Sequence, residues 1–189
     1  GENAAVSFLE IEQVRKTFDD GTVAVRGIDL ECAEAEFVVL LGPSGCGKTT
    51  TLRMVAGLEQ ATEGRIAVDG EDITHLPPMA RDVGFVFQFY ALYPHLCVRD
   101  NIAFPLQSMG VERGERDRRV GEILGRLGLE ALGALYPAQL SGGDQQRVAL
   151  ARAMVRTPQL YLMDEPLGTL DADRRLEMRE LIRAQQLAM

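Results

Sequence analysis

Residues 42–49 combine glycines, one lysine and a hydroxyl residue at a spacing suited to binding a phosphate chain. They fit the pattern G-x-x-x-x-G-K-[ST], between an apolar run and a stretch able to form a helix. Glycines let backbone N–H groups turn inward as an anion nest, and a helix N-terminus adds its positive dipole end. Lys48 can then reach the terminal phosphates, and the Thr49 hydroxyl can bind Mg²⁺. A glycine turn that only joins strand to helix is disfavoured by this context.

Two adjacent carboxylates, Asp164 and Glu165, follow the apolar run at residues 160–163. Carboxylates at a strand end are costly unless they have partners or a function. Asp164 is suited to hold Mg²⁺, directly or through water, and Glu165 can polarise an attacking water as a general base. A solvated strand end is the alternative interpretation. The phosphate-binding loop (residues 42–49) in the same chain favours the functional one.

A serine-glycine segment, residues 140–144, reads Leu-Ser-Gly-Gly-Asp and precedes a predicted helix. Ser141 with Asp144 three residues later is a capping-box pattern. Two adjacent glycines at a helix start carry a propensity cost of about 1 kcal/mol each. That cost indicates a close approach to the backbone, and a second phosphate is a natural candidate at a helix N-terminus.

The elements that must position these motifs follow from periodicity. Apolar residues alternate from Leu9 to Val14 and again from Val23, around a turn at residues 19–21, which predicts strands. Further strands are predicted at 37–41, 65–68, 83–87 and 160–163, the first of them buried on both faces. Helices are predicted at 49–56, ended by Gly57, and at 101–109, 112–127, 145–155 and 173–187. The pattern indicates an α/β core with a helical insertion.

Composition excludes several classes of protein. The 189 residues include 28 acidic and 20 basic ones, for a net charge of −8, and 46% are hydrophobic. This balance favours a globular chain and disfavours disorder or non-specific nucleic-acid binding. The longest clean apolar run, 37–41, is far short of the roughly 20 residues of a membrane span, and residues 1–10 show no secretory signal. Three scattered cysteines favour a reducing compartment.

Taken in order, these motifs resemble the ATP-binding subunit of ABC transporters, from about residue 8 to the end. The resemblance rests on the phosphate-binding loop, Gln88 in Val-Phe-Gln, the serine-glycine segment, Asp-Glu-Pro at 164–166 and Leu-Asp at 170–171. Residues 81–95 look most like ATPases of bacterial importers for sugars and related solutes. The implied fold is a P-loop NTPase core over 1–88 and 157–189, with an N-terminal antiparallel β part. An α-helical subdomain over 89–156 is inserted in it.

The resemblance implies that two copies face head to tail and enclose two ATP molecules. Each ATP would lie between the Lys48 loop of one copy and the serine-glycine segment of the other. Glu165, Gln88 and Lys48 would act in catalysis, and Thr49, Gln88 and Asp164 would hold Mg²⁺. The nucleotide-contacting residues would be Phe18, Val25, Gly42, Pro43, Ser44, Gly45, Cys46, Gly47, Lys48, Thr49, Thr50, Ser141, Gly142, Gly143 and Asp171.

Three of these residues have ordinary alternatives. Phe18, implied to stack on adenine, can be a core or edge aromatic, and Gln88 a polar strand end. Asp171, implied at the dimer seam, can be a helix N-cap. Residues 90–98 (Tyr90 to Val98) would form the groove that receives a helix of a membrane permease, although some of their aromatics can be core. The protein would then lie in the cytoplasm, peripheral on the inner face of the membrane.

Two substitutions depart from the family's pattern. Asp144 stands where the family usually has glutamine, and it places a negative charge near a nucleotide. We therefore predict weaker ATP-driven pairing, because like charges repel. Gly168 stands where the family often has serine in the loop at the dimer seam, which predicts a looser contact between the two copies.

The largest departure is at the end of the chain. The sequence stops at Met189, whereas the family continues into another strand and a histidine that contacts the γ-phosphate. Neither His75 nor His95 is placed to replace it, so a core without its last strands is expected. The missing strand would lie between the strands predicted at 37–41 and 160–163. A nucleotide-binding or self-associating fragment without effective turnover is therefore the alternative to an importer ATPase. A soluble ABC protein of DNA repair or translation is disfavoured by the importer-like segment.

Overall fold

The computed structural model describes residues 7–36, 38–40, 42–87, 89–165, 176, 179–180 and 183–184. The chain divides into two compact units, Gly1–Asp82 with Ala184–Met189 and Val83–Arg183. This division groups the strands at 83–86 and 160–163 with the helices that lie between them in sequence. The functional division into a core over 1–88 and 157–189 and a helical subdomain over 89–156 stays a prediction.

The first unit contains an antiparallel sheet. Its strands are β1 (Ser7–Thr17), β2 (Val23–Ala33), β3 (Glu63–Val68) and β4 (Glu71–Asp72), in the order β2-β1-β3-β4. Alternation buries Leu9 and Ile11 on one face of β1, and a bulge with Gln13 at φ 47° shifts the register so that Val14 is buried as well. Between β1 and β2, the N–H of Gly21 donates to the carbonyl of Phe18 at 2.9 Å. The antiparallel start and its turn are therefore confirmed.

Glycines set both ends of helix α1 (Lys48–Ala56). Gly47 precedes it with φ 94°, and Gly57 follows it with φ 75°. The Gly57 N–H donates to the carbonyls of Arg53 and Met54, as expected for a left-handed residue that ends a helix. The helix predicted over 49–56 and its glycine stop are confirmed.

A buried arginine closes the C-terminal end of α1. The Arg81 guanidinium donates to Met54 O at 2.7 Å and Val55 O at 3.1 Å, two carbonyls of the last helical turn. It also donates to Thr74 O at 3.0 Å and Leu76 O at 2.8 Å. Burial lowers the pKa of Arg81. Its positive charge lies at the negative end of the helix dipole, which stabilises this arrangement.

The second unit contains two parallel strands and three longer helices. Strands β5 (Val83–Val86) and β6 (Leu160–Met163) run parallel, with Val86 opposite Met163. The helices are α2 (Val98–Ser108), α3 (Arg113–Arg126) and α4 (Gly142–Met154). Their apolar faces form one core that includes Ile102, Leu124 and Val148. The three predicted helices are confirmed, and α4 begins three residues before the predicted Gln145.

The buried strand predicted over 37–41 is wrong for the part that the structure describes. Residues 38–40 belong to no strand, and Val38 and Val39 are 38% and 57% exposed. A strand needs hydrogen-bond partners on a neighbour, and no described residue pairs with 38–40 in a sheet. The helix predicted over 173–187 lies mostly outside the described residues, although Leu176, Arg179, Glu180, Arg183 and Ala184 are helical. In the described ranges, no helix is long and apolar enough to cross a membrane.

Candidate nucleotide-binding site

The phosphate-binding loop curls through two left-handed glycines. Gly45 has φ 80° and Gly47 has φ 94°, backbone conformations that residues other than glycine rarely adopt. A Cβ at Gly47 would lie 2.6 Å from the Ala24 carbonyl oxygen, so β2 approaches the loop backbone closely. The Cys46 N–H donates to Pro43 O at 3.3 Å and tightens the curve. The loop therefore has the curled form on which its anion-binding prediction depends.

The Lys48 ammonium lies over the loop's own carbonyls. Its Nζ donates to Gly42 O at 2.6 Å and to Pro43 O at 2.9 Å, and lies 3.7 Å from Cys46 Sγ. These neutral acceptors are weaker partners for an ammonium than phosphate oxygens are. The ammonium can therefore exchange the carbonyls for a bound polyphosphate without leaving the loop.

The hydroxyl residues at the start of α1 differ in what they contact. The Thr51 hydroxyl donates to Gly47 O at 2.8 Å, and the Thr51 N–H donates to the same oxygen. Thr51 is not among the residues predicted to contact the nucleotide, although a threonine four residues after a carbonyl commonly bonds back to it. Thr49 and Thr50 lie half-buried in the same first turn. Thr51 thereby fixes the junction between the loop and α1.

Two predicted nucleotide contacts lie at the β1–β2 hairpin. A Cβ at Gly47 would meet Val25 Cγ2 at 3.2 Å, so Val25 lies against the loop. Phe18 follows the end of β1, is 38% exposed, and has the Lys16 ammonium 5.1 Å from its ring centroid. The structure thus presents an exposed aromatic at the hairpin that contacts the phosphate-binding loop.

The acidic pair follows β6 in the second unit. Asp164 is buried, and its N–H donates to Val86 O at 3.0 Å, which continues the β5–β6 ladder by one residue. Glu165 is exposed and has φ 47°. Gln88 and Asp171 lie outside the described residues. The structure therefore places the acidic pair where two parallel strands end, an edge at which α/β proteins bind ligands.

The serine-glycine segment caps α4 through its serine. The Ser141 Oγ accepts from the Asp144 N–H at 3.2 Å and donates to Asp144 Oδ2 at 2.5 Å. Asp144 Oδ1 in turn accepts from Arg147 Nη2 at 2.5 Å. Burial raises the pKa of Asp144, but the Ser141 hydroxyl and the Arg147 guanidinium lower it by more. Asp144 is therefore an ionised, paired carboxylate rather than an isolated charge.

Residues 89–97 connect β5 to α2 without regular structure, and we call them the connector segment. The buried Asn101 donates to Tyr93 O at 3.0 Å and Leu96 O at 2.8 Å, and accepts from the Tyr93 N–H at 2.8 Å. The Tyr93 ring lies 4.6 Å from the partly exposed Phe104 ring. Phe89 is 79% exposed. The connector segment thus presents aromatic surface from an anchored backbone.

The residues present fit a nucleotide better than a metal held by protein alone. Within the part of the chain that the structure describes, no group of three or more His, Cys, Asp or Glu side chains could hold a metal ion. Mg²⁺ is commonly bound through one or two carboxylates together with substrate phosphates. Thr49 and Asp164, the two predicted Mg²⁺ contacts that the structure describes, belong to different units, and their joint role stays a prediction.

The comparisons with known proteins agree with this geometry. The family model described as ABC transporter matches residues 25–168. The chain belongs to the ABC transporter family. It is 34% identical to a dimeric ATP-binding cassette solved in a post-hydrolysis state bound to ADP and Pi, with a TM-score of 0.83. That match covers 94% of this chain and 82% of the other. The fold is that of the ABC ATPase cassettes, as predicted.

Several curated relatives are import proteins. An sn-glycerol-3-phosphate import ATP-binding protein of Rhizobium johnstonii is 50% identical over 93% of this chain and 47% of its own length. A trehalose/maltose import ATP-binding protein of Thermococcus litoralis is 53% identical over 90% of this chain and 47% of its own length. The chain therefore spans about half the length of the curated relatives that it matches.

Proposed function

We propose that this chain is the nucleotide-binding part of an importer ATPase, which binds Mg-ATP and hydrolyses it to drive solute import. The observation that carries the proposal is the curled loop with Lys48 already inside it. Membership of the ABC transporter family and the names of the relatives support it. Those names include different solutes, so the proposal stops at the class of reaction.

Lys48 and the loop amides bind the phosphates, while Phe18 and Val25 bind the base end of the nucleotide. Thr49, Gln88 and Asp164 would hold Mg²⁺, which neutralises charge on the β- and γ-phosphates. The exposed Glu165 accepts a proton from the attacking water, because a positioned carboxylate can serve as a general base. Gln88 orients the same water.

A second copy completes the site in this proposal. Ser141, Gly142 and Gly143 lie at the N-terminus of α4, where backbone amides favour an anion. In a head-to-tail pair, they bind the γ-phosphate held by the other copy's phosphate-binding loop, and Asp171 lies at the seam. Similar cassettes have been solved as dimers, which supports pairing.

A membrane permease is the second proposed partner. The connector segment and the start of α2, residues 90–98, carry partly exposed aromatics on a backbone anchored by Asn101. An apolar, rigid surface of this kind suits a short helix of another protein. We place the assembled protein on the cytoplasmic face of the membrane, as import requires.

ATP turnover of the protein and its Glu165→Gln variant tests the proposal. Removing the carboxylate removes the proton acceptor, so we expect turnover to fall about 100-fold or more while Mg-ATP still binds. Glu34→Gln is the matched control, because Glu34 is exposed on the first unit. Equal turnover in the Glu165→Gln variant refutes the assigned base. Binding without turnover in any form supports the alternative, a nucleotide-binding fragment.

A further inference from the structure

We infer that Arg152 is a positioning residue that ties the connector segment to α4, so that displacement of one moves the other. The inference rests on the proposed function for its consequence, because the connector segment is the proposed permease contact and α4 begins at the proposed second-copy contact. All of the contacts that support it lie in the second unit.

The Arg152 guanidinium binds three groups of the connector segment. Nη1 donates to Ala91 O at 2.8 Å, and Nη2 donates to Tyr90 O at 3.0 Å. The guanidinium carbon lies 5.3 Å from the Tyr93 ring centroid. The two bonds use the planar fork that distinguishes arginine from lysine. The Arg152 side chain therefore contacts Tyr90, Ala91 and Tyr93.

The backbone that Arg152 holds is strained. Tyr90 has φ 61° and Ala91 has φ 48°, two consecutive residues other than glycine in the left-handed region. Such conformations persist only where surrounding structure imposes them. Burial lowers the pKa of Arg152, yet the guanidinium stays charged, since an arginine is not deprotonated in proteins. A charged, partly buried donor pair on these two carbonyls supplies the constraint that the strained backbone needs.

The same residues contact the other end of α4. The Tyr90 hydroxyl lies 3.6 Å from the point where a Cβ would stand at Gly142, the first residue of the helix. Tyr90 also packs against the helical core. Arg152 is ten residues further along α4, so the connector segment contacts the helix at both ends. A shift of Tyr90 and Ala91 must therefore move the guanidinium, the start of α4, or both.

Asn101 anchors the rest of the connector segment independently. It bonds the Tyr93 backbone and the carbonyls of Leu96 and Cys97 from α2. Loss of Arg152 should therefore loosen Tyr90 and Ala91 without releasing residues 96 and 97. This contrast separates a local clamp from general destabilisation of the fold.

Amide hydrogen exchange of the whole 189-residue chain without nucleotide tests the clamp. In Arg152→Met we expect exchange to quicken about tenfold at the Tyr90 and Ala91 amides and at the Asp144 and Gln145 amides. Arg152→Lys should fall between, because one ammonium cannot reproduce the fork. Arg113→Met is the control, since Arg113 is exposed on α3. Exchange that is unchanged at residues 90–91, or that quickens there but not at residues 144–145, overturns the inference.

Steady-state ATP turnover then tests the consequence. We expect Arg152→Met to lower kcat about tenfold, corrected for folded fraction, while the calorimetric affinity of a single copy for Mg-ATP stays unchanged, because the phosphate-binding loop lies in the other unit. A purely structural role would lower turnover only in proportion to the folded fraction, and that result overturns the coupling. If the unaltered protein has no turnover, the proposed function fails, while the exchange data still decide the clamp.

Discussion

Arg147 is expected to protect ATP-driven pairing by neutralising Asp144. Asp144 lies in the serine-glycine segment, which we propose to contact the second copy's nucleotide, and Arg147 Nη2 lies 2.5 Å from its carboxylate. The sequence alone predicted that Asp144 weakens pairing. The structure adds a positive charge next to it, so we expect most of that repulsion to appear only when Arg147 is replaced by glutamine.

The size of the effect follows from Coulomb's law. A carboxylate about 4 Å from a phosphate charge costs about 4 kcal/mol at an effective dielectric of about 20. The Arg147 guanidinium, about 2.5 Å further from the phosphate charge, offsets roughly 2.5 kcal/mol of this cost. The Arg147→Gln variant loses this offset. The pair is partly exposed, at 28% for Arg147 and 19% for Asp144, so water reduces the loss. We therefore expect pairing about 10- to 60-fold weaker.

The assay is the apparent dissociation constant of the Mg-ATP-bound pair, measured by light scattering in a Glu165→Gln background so that ATP persists. Arg147→Gln should weaken pairing and Asp144→Gln should strengthen it, since the latter leaves an unopposed guanidinium. The double variant should pair about 4- to 12-fold more tightly than the starting protein, because it loses both the cost and the smaller offset. An exposed ion pair three residues apart adds only about 0.2–0.5 kcal/mol to a helix, so thermal unfolding should hardly change.

Two outcomes would contradict the expected role of the Asp144–Arg147 pair. If Arg147→Gln and the double variant weaken pairing equally, the charge of Asp144 is irrelevant and Arg147 acts by another route. If neither single variant changes pairing, the serine-glycine segment does not face the nucleotide of a second copy.

Three further predictions follow from buried or strained groups. Gly47→Ala should abolish Mg-ATP binding and lower the free energy of unfolding by about 1–3 kcal/mol, measured by calorimetry and urea titration, because φ is 94° and Ala24 O would lie 2.6 Å from the new Cβ. Arg81→Met should cost about 3–5 kcal/mol in the urea titration by leaving the Met54 and Thr74 carbonyls without their buried donor, whereas an unchanged midpoint would contradict this. The pKa of Asp144 is lower in the folded chain than its ordinary value, so its stabilising contribution is complete above that value and is lost as pH falls through the lower folded pKa. Asp144→Gln should therefore show a shallower loss of stability below about pH 4, and parallel acid unfolding curves would argue against it.

Local sequence rules predicted the features that depend on near neighbours. The left-handed glycines at 47 and 57 bound α1, and Ser141 caps α4, because cap and turn chemistry acts over a few residues. The Asp144–Arg147 pair was also within reach of the sequence, since residues three apart share a helix face. Spacing alone could therefore have corrected the isolated-charge interpretation of Asp144.

Features that depend on distant residues were not predictable in this way. Arg81 bonds Met54, and Arg152 bonds Tyr90, across 27 and 62 positions of the chain. No periodicity marks such an arginine as buried, because its type is usually exposed. The strand predicted at 37–41 failed for a related reason. An apolar run forms a strand only when another segment pairs with it, and residues 38–40 have no such partner among the described residues.

The most direct test of the central claim is titration calorimetry of Mg-ATP into the folded protein and into its Lys48→Ala variant, with Arg113→Met as a control for loss of one positive charge. We expect measurable binding to the unaltered protein and the control, and affinity at least about 100-fold lower in Lys48→Ala, because the ammonium that lies 2.6 Å from Gly42 O is the charge available to the phosphates. No heat of binding with well-folded protein, or equal affinity in all three forms, would contradict the claim that this loop binds a nucleotide.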